Sequence, residues 1–225
     1  WLLSQLRRAL GENSCILCLM SGQFVQRGEP AMLRKHARAE AALRCGADLV
    51  LELPLARALS SAEGFARGAV YLMQRSGCVT HLAFGSECGD AAALERVAQC
   101  LDSEMYRAGL RRFLDEGMPF AACRQAVVRG ILGPTDAALL SGANNNLGVE
   151  YLKAARQLGW SCSVLTVKRR GAAHDSPEAA EFCSASAVRR LLEAGDWQEV
   201  DIWLLQSENP LQSSALRWGY SFLPV

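Results

Sequence analysis

The amino-acid sequence predicts an α/β fold in which a parallel sheet is flanked by helices and carries an inserted helical subdomain. Short, continuously apolar runs alternate with helical patterns along residues 1–90, which is the order of elements that builds parallel sheets. Helical periodicity then continues without a strand-like run from residue 91 to about residue 140. Polar turns that contain glycine follow three of the apolar runs, at the position where ligands bind in such sheets.

Each predicted element rests on the local spacing of apolar residues. Apolar runs that predict strands cover residues 15–20, 48–53, 81–84 and 163–168. Helical spacing covers residues 1–10, 31–45, 60–75, 144–158 and 184–194. Because residues 1–10 form an amphipathic pattern with no methionine and no N-cap before it, we expect further residues to precede Trp1.

These elements predict three regions along the chain. We expect an α/β domain over residues 1–90 and 141–195, without its first strand. The helical insertion covers residues 91–140, and residues 196–225 are the start of a C-terminal region.

Composition narrows the class of protein. The chain has 225 residues, with 24 basic and 23 acidic side chains and a net charge of +1, so bulk charge indicates neither a nucleic-acid nor a membrane partner. No apolar run approaches the ~18 residues of a membrane span, and the chain does not begin with a signal-peptide pattern. We therefore expect a cytoplasmic protein with no membrane partner.

The nine cysteines indicate reduced thiols. Their number is odd and their spacing is scattered, as expected of small apolar side chains in a reducing compartment. Cys15 and Cys18 form a C-x-x-C pair, but no second ligand pair accompanies them and the three histidines lie far apart in the sequence. We therefore predict no metal site built from these residues.

Three polar segments that contain glycine follow predicted strands, at residues 21–29, 85–87 and 168–171. Glycine at such a position lets a backbone N–H approach a base or a phosphate. One such segment alone is typical of an ordinary strand-to-helix turn. Three of them at one edge of a sheet favour a ligand crevice.

The segment CSASAVR, residues 183–189, is the most informative local motif. Ser184 or Ser186 can cap a helix, whose free N–H groups and dipole attract anions. Arg189 follows Ser186 by three residues and can project from the same turn, so the group suits a polyphosphate. A plain N-cap with a solvated arginine explains the motif equally well.

Three further groups have both a functional and an ordinary interpretation. The run Asn144–Asn146 precedes a helix, where one asparagine suffices as N-cap and a spare carboxamide could recognise adenine, ribose or an oxyanion. His174 and Asp175 are either phosphate ligands or a solvated loop. The basic helix containing Arg34, Lys35 and Arg38 is typical of a nucleic-acid contact or of a solvated face.

Seven segments, taken in order, resemble the bacterial tRNA(Met) cytidine acetate ligase family, which belongs to the wider HxGH nucleotidyltransferases. The segments are MSGQFVQRGEPAML (20–33), GADLVLELP (46–54), SAEGFARGAV (61–70), FGSE (84–87), NNNLGVEYLKA (144–154), VKRRGAAHD (167–175) and SASAVR (184–189). The resemblance implies a Rossmann-like parallel sheet of the HxGH nucleotidyltransferase type with an inserted helical subdomain. It also implies that the HxGH segment lies upstream of Trp1, so the catalytic residues stay unassigned.

The resemblance implies that acetate attacks ATP to give acetyl-adenylate, and that the acetyl group passes to N4 of the wobble cytidine, position 34, of elongator tRNA(Met). Mg²⁺ is expected only because ATP is. The residues expected to bind ATP are Gly85, Asn144, Asn145, Arg169, Arg170, Ser184, Ser186 and Arg189. Weaker candidates for contact with tRNA are Arg27, Arg34, Lys35 and Arg38. No metal ligands and no oligomeric state are predicted.

Two alternatives remain open at this point. The first is another nucleotidyltransferase of the superfamily that acts on a small metabolite. The segment SGQFVQRGEP and the helical insertion speak against this alternative, because both are features of the ligase group. The second is a non-catalytic module that binds a nucleotide or RNA. The second alternative applies to this polypeptide if the HxGH segment is absent from it.

Overall fold

Alternating helices and short strands make up the part of the chain that the computed structural model describes, which is residues 2–26 and 28–169. The described residues divide into two compact units, the first within residues 2–58 and the second formed by residues 59–169. Both strand pairs among the described residues are parallel. The predicted α/β class with parallel pairing is therefore confirmed.

The first unit contains one of these strand pairs. Its described elements are α1 (Leu2–Leu10), β1 (Leu17–Ser21), α2 (Lys35–Arg44), β2 (Leu49–Leu53) and α3 (Leu55–Ala58). The Asp48 carboxylate accepts hydrogen bonds from the Ile16 amide at 2.6 Å and from the Arg7 guanidinium at 2.7 Å. The Ile16 amide, with Arg7 adding to it, holds the pKa of Asp48 below its usual value. These bonds tie α1 and the start of β1 to the start of β2.

The second unit contains the other strand pair and a helical layer. Its elements are α4 (Ala62–Arg75), β3 (His81–Ser86), α5 (Ala91–Asp102), α6 (Glu104–Asp115), α7 (Phe120–Leu132), α8 (Pro134–Ala138), a 3₁₀ turn (Leu139–Ser141), α9 (Ala143–Gln157) and β4 (Ser163–Lys168). One apolar core joins them, and it includes Leu82 of β3, Leu94 of α5, Val128 of α7 and Leu152 of α9. The helices over residues 91–140 therefore share their core with the strand β3.

Local sequence explains where the helices of this unit begin. The Asp90 carboxylate accepts a hydrogen bond from the Ala93 amide at 3.0 Å at the start of α5, and the Ser103 hydroxyl accepts one from the Tyr106 amide at 3.1 Å at the start of α6. Such side chains satisfy backbone N–H groups that have no partner inside the helix. Gly117 and Pro119 lie between the end of α6 and the start of α7.

The structure corrects two expectations. We expected one sheet, but the described strands form two two-stranded sheets, β1–β2 and β3–β4. Local apolar patterns identify a strand but not the strand with which it pairs. The paired residues lie 32 positions apart in one sheet, as in Leu17 with Leu49, and 82 positions apart in the other, as in His81 with Ser163. Within residues 2–26 and 28–169 the eight thiols are free, and Cys100 and Cys123 are buried as expected of small apolar residues. The other described thiols are partly or fully exposed: Cys15, Cys18, Cys45, Cys78, Cys88 and Cys162.

Candidate functional site

The carboxyl ends of β3 and β4 form one edge of the second unit. Gly85 pairs with Val167 and Ser86 with Lys168, and the Arg169 amide donates to the Ser86 carbonyl at 2.9 Å. A methyl group added to Gly85 would lie 3.6 Å from Cγ of Arg169. The glycine and the stem of the arginine are therefore neighbours at this edge.

The buried hydroxyl of Ser86 holds the turn that follows β3. Ser86 is fully buried, and its Oγ lies 2.7 Å from Oγ1 of Thr166. The same oxygen accepts a hydrogen bond from the Gly89 amide at 2.9 Å. These bonds fix Ser86 and Gly89, the two residues that flank Glu87 and Cys88 in the turn.

Glu87 and the start of α9 hold each other by reciprocal hydrogen bonds. Oε1 of Glu87 accepts from the Asn144 amide at 3.0 Å and from Nδ2 of Asn144 at 2.6 Å, and Oε2 accepts from the Asn145 amide at 2.6 Å. In return, Oδ1 of Asn145 accepts from the amides of Glu87 at 3.0 Å and Cys88 at 3.1 Å. The first turn of α9 is thereby tied to the turn after β3.

These contacts also determine the charge of Glu87. Partial burial alone raises the pKa of the Glu87 carboxyl, but hydrogen bonds from the side chain and amide of Asn144, the amide of Asn145 and its own amide lower it further. The net result is a pKa below the usual value. The group is therefore a carboxylate at neutral pH and accepts hydrogen bonds at both oxygens.

Four predicted nucleotide contacts meet at this edge, which we call the strand-end site: Gly85, Asn144, Asn145 and Arg169. The two asparagines differ in their surroundings. Asn145 is 5% exposed and its oxygen accepts two backbone hydrogen bonds, so it acts as a structural link. Asn144 is half-buried and Arg169 is exposed, so these two can reach a ligand.

The structure corrects the interpretation of residues 144–146 as an N-cap. Gly142 is the N-cap of α9 and makes no side-chain hydrogen bond, while the three asparagines lie within the helix. The carboxylate of Glu87 satisfies the amides that an asparagine cap would have satisfied. A cap from another segment leaves no pattern near the helix, which is why the sequence indicated the wrong residue.

The polar segment after β1 belongs to the first unit and is organised by Arg38. Its guanidinium donates to the carbonyls of Ser21 at 3.0 Å and Leu33 at 3.1 Å and also to the carbonyl of Gly22. Burial lowers the pKa of Arg38, with Glu52 opposing the shift. Arg38 thus connects the two ends of the loop.

The other basic candidates in this region differ in exposure. Nζ of Lys35 forms an ion pair with Glu52 at 2.7 Å, so Lys35, like Arg38, has a partner inside the unit. Arg34 is exposed at the start of α2. Of the described tRNA candidates, Arg34 is therefore the one whose side chain is exposed.

Several predicted site residues lie outside the described residues: Arg27, Arg170, His174, Asp175, Ser184, Ser186 and Arg189.

Within residues 2–26 and 28–169, no group of three or more His, Cys, Asp or Glu side chains is arranged to hold a metal ion. In the same part of the chain, no helix has the length and apolarity to span a membrane.

Glu87 is the residue of this site that sequence reasoning missed. It stands in the quoted segment FGSE, but its partners Asn144 and Asn145 follow 57 and 58 positions later. No local spacing connects residues so far apart. The only available signal was an acidic residue directly after a Gly-Ser pair at the end of a predicted strand.

The family model described as HIGH Nucleotidyl Transferase matches residues 1–216. The chain therefore belongs to the HIGH nucleotidyl transferase family. Several curated relatives of the chain carry one name.

Those relatives are tRNA(Met) cytidine acetate ligases. The protein of that name from Syntrophomonas wolfei subsp. wolfei is 41% identical over 199 residues, covering 86% of this chain and 48% of the relative. The one from Syntrophotalea carbinolica is 44% identical over 195 residues, covering 84% and 46%. The chain thus spans about half the length of these curated relatives. The resemblance found in the sequence is confirmed.

Solved structures of a related protein agree with the fold. Thermotoga maritima TmcAL in its apo form I has a TM-score of 0.86 and 36% sequence identity, covering 98% of this chain and 55% of that chain. The same protein bound with alpha-thio ATP has a TM-score of 0.85 and 35% identity, covering 99% and 54%. The parallel α/β fold predicted from the sequence is therefore confirmed by comparison as well.

Proposed function

We propose that this protein is an ATP-dependent ligase that acetylates N4 of the wobble cytidine, position 34, of elongator tRNA(Met). The observation that carries the proposal is the 41–44% identity to tRNA(Met) cytidine acetate ligases over more than four fifths of the chain. A cytoplasmic location is part of the proposal, because the substrate is a tRNA. The structure bound with alpha-thio ATP in a relative supports ATP as the nucleotide.

The reaction proceeds in two steps, activation of acetate and transfer of the acetyl group. An acetate oxygen attacks the α-phosphorus of ATP, the bond to the bridging oxygen breaks and pyrophosphate leaves, so that acetyl-adenylate forms. The N4 amino group of cytidine then attacks the acetyl carbonyl, AMP leaves and N4 loses a proton. Both steps require neutralisation of developing charge and alignment of the reactants.

The strand-end site suits the nucleotide in this scheme. Gly85 has no side chain to keep a ligand from its backbone, Asn144 offers a carboxamide, and the exposed guanidinium of Arg169 suits a phosphate. Asn145 supports the site through its bonds to the amides of Glu87 and Cys88.

The other predicted site residues have proposed roles in binding ATP or tRNA. Arg170, Ser184, Ser186 and Arg189 complete the expected ATP contacts. Arg34 and Arg27 are the favoured contacts for tRNA, while Lys35 and Arg38 act by shaping the loop of residues 21–33. Mg²⁺ would arrive with the nucleotide and neutralise charge on its phosphates.

The test combines two assays. With ATP, labelled acetate and elongator tRNA(Met), we expect label in N4-acetylcytidine at position 34. A tRNA in which uridine replaces cytidine 34 is the matched control, because uracil has no 4-amino group to accept the acetyl group. Acetate-dependent exchange of pyrophosphate into ATP reports the first step alone.

The outcomes separate the candidate functions. Exchange without transfer to tRNA, or equal labelling of the control tRNA, would show an activity on a different acceptor and reject the tRNA assignment. ATP binding without exchange or transfer would indicate a non-catalytic module. Exchange together with cytidine-dependent transfer is the result that we expect.

A further inference from the structure

The reciprocal contacts between Glu87 and α9 determine how the side chain of Asn144 is oriented. Oε1 of Glu87 lies 2.6 Å from Nδ2 of Asn144. A carboxylate only accepts hydrogen bonds, so the nitrogen of the carboxamide must face it and the oxygen must face away. Among the described residues, none donates a hydrogen bond to that oxygen. Asn144 therefore presents a free acceptor at the strand-end site.

A free acceptor selects the chemistry of its ligand. A carboxamide oxygen attracts N–H and O–H donors and is repelled by the oxygens of a phosphate. The nucleoside part of ATP offers two kinds of donor, the 6-amino group of adenine and the hydroxyls of ribose. The triphosphate offers none when ionised. The orientation imposed by Glu87 thus favours contact between Asn144 and the nucleoside.

We propose that Glu87 is a positioning residue for nucleotide recognition, which fixes the Asn144 carboxamide with its oxygen toward an N–H or O–H donor of the nucleoside. This inference rests on the proposed use of ATP and adds a residue and a direction to it. Glu87 acts through Asn144 and does not itself touch the nucleotide. Its second contact, to the Asn145 amide at 2.6 Å, keeps the first turn of α9 in place while it does so.

The variant Glu87→Gln tests this role with little change of shape. A glutamine side chain has one acceptor oxygen where glutamate has two, so at least one of the three donors at the start of α9 loses its partner, and the Asn144 carboxamide turns over if the glutamine NH2 group faces it. We expect the affinity for ATP to fall roughly tenfold, the loss expected for one misdirected hydrogen bond. Glu87→Ala and Asn144→Ala should lower it similarly. Glu116→Gln, which alters an exposed ion pair with Arg112, is the matched control and should bind ATP normally.

Nucleotide analogues separate positioning from a purely structural role. Inosine triphosphate replaces the 6-amino donor with an acceptor, and 2′-deoxy- and 3′-deoxy-ATP each remove one ribose donor. The unmodified protein should bind one of these analogues roughly tenfold more weakly than ATP, and this identifies the donor. In Glu87→Ala and Asn144→Ala, the ratio between the affinities for ATP and for that analogue should approach one.

Each outcome decides a separate point. If the unmodified protein binds no ATP, the proposed function fails. If it binds ATP and Glu87→Ala keeps both affinity and discrimination, the positioning role is overturned and the proposed function stands. If Glu87→Ala lowers the melting temperature but leaves the ratio of affinities for ATP and the analogue unchanged, the inference is also overturned, because Glu87 is then only a cap of α9. Equal affinity of the unmodified protein for ATP and all three analogues would also overturn the inference.

Discussion

Gly148 lies where α9 passes over the ring of Phe84. A methyl group at Gly148 would lie 2.6 Å from Cε2 of that ring and 3.2 Å from two further ring carbons, and Phe84 is itself 7% exposed. We therefore expect Gly148→Ala to lower the free energy of unfolding by about 1–3 kcal/mol, as overpacking of a core does. Urea denaturation measures the effect.

The matched control is Gly130→Ala in α7. No atom lies within 4 Å of a methyl group built at Gly130, and alanine stabilises an exposed helix position by roughly 0.5–1 kcal/mol relative to glycine. The two substitutions should therefore change stability in opposite directions. Equal effects would mean that Phe84 moves aside without cost.

Gly85 is a second glycine at which an added methyl group gives a test, here of nucleotide binding and not of core packing. A methyl group there would be in ordinary contact, 3.6 Å from Cγ of Arg169 and 3.8 Å from the Val167 carbonyl. Gly85→Ala should therefore keep the stability of the protein within about 0.5 kcal/mol. We expect its affinity for ATP to fall, because the methyl group occupies space that a nucleotide needs. Calorimetric titration with ATP measures this, and unchanged affinity would remove Gly85 from the site.

Helices α7 and α9 are joined by a buried ion pair. The Arg124 guanidinium lies 2.7 Å from the Glu150 carboxylate, with side-chain exposures of 12% and 3%, and Lys153 lies 3.2 Å from the same carboxylate. Removing one partner leaves a buried charge without its full compensation. Arg124→Ala should therefore lower the free energy of unfolding by about 3 kcal/mol, as measured by thermal and urea denaturation.

Arg112→Ala provides the comparison for this pair. Arg112 and Glu116 are 3.7 Å apart and largely exposed, and such surface pairs contribute about 0–1 kcal/mol. If both arginine substitutions had the same small effect, Lys153 alone would be sufficient to balance Glu150.

At the scale of elements, local patterns predicted most helices and strands but not their partners. The run at residues 163–168 matches β4, Ser163–Lys168, because an apolar run between a glycine turn and a basic turn is a local feature. The cap of α9 was predicted wrongly, since Glu87 approaches it from another part of the chain. The short helix α3, Leu55–Ala58, was not predicted because four residues carry too little periodicity.

At the scale of the molecule, the second unit has a continuous apolar core of its own, as expected of a domain that folds independently. Its core joins α4, β3, β4 and the helices between the two strands, from Val70 to Val164. We therefore expect a fragment of residues 59–169 to unfold cooperatively when followed by circular dichroism. A fragment of residues 59–133 lacks α9 and β4 and should not, because the partner strand of β3 is absent. A non-cooperative transition of the longer fragment would show that its core needs the rest of the chain.

The sequence by itself determined the α/β class, the parallel strands and the family, because these depend on local periodicity and on motifs such as SGQFVQRGEP and FGSE. It also identified Gly85, Asn144, Asn145 and Arg169 as candidates. Only the tertiary structure distinguished the two asparagines, with Asn145 bound to the backbone and Asn144 available to a ligand. It alone placed the Glu87 carboxylate at the start of α9, because a hydrogen bond between residues 57 positions apart depends on the folded path of the chain.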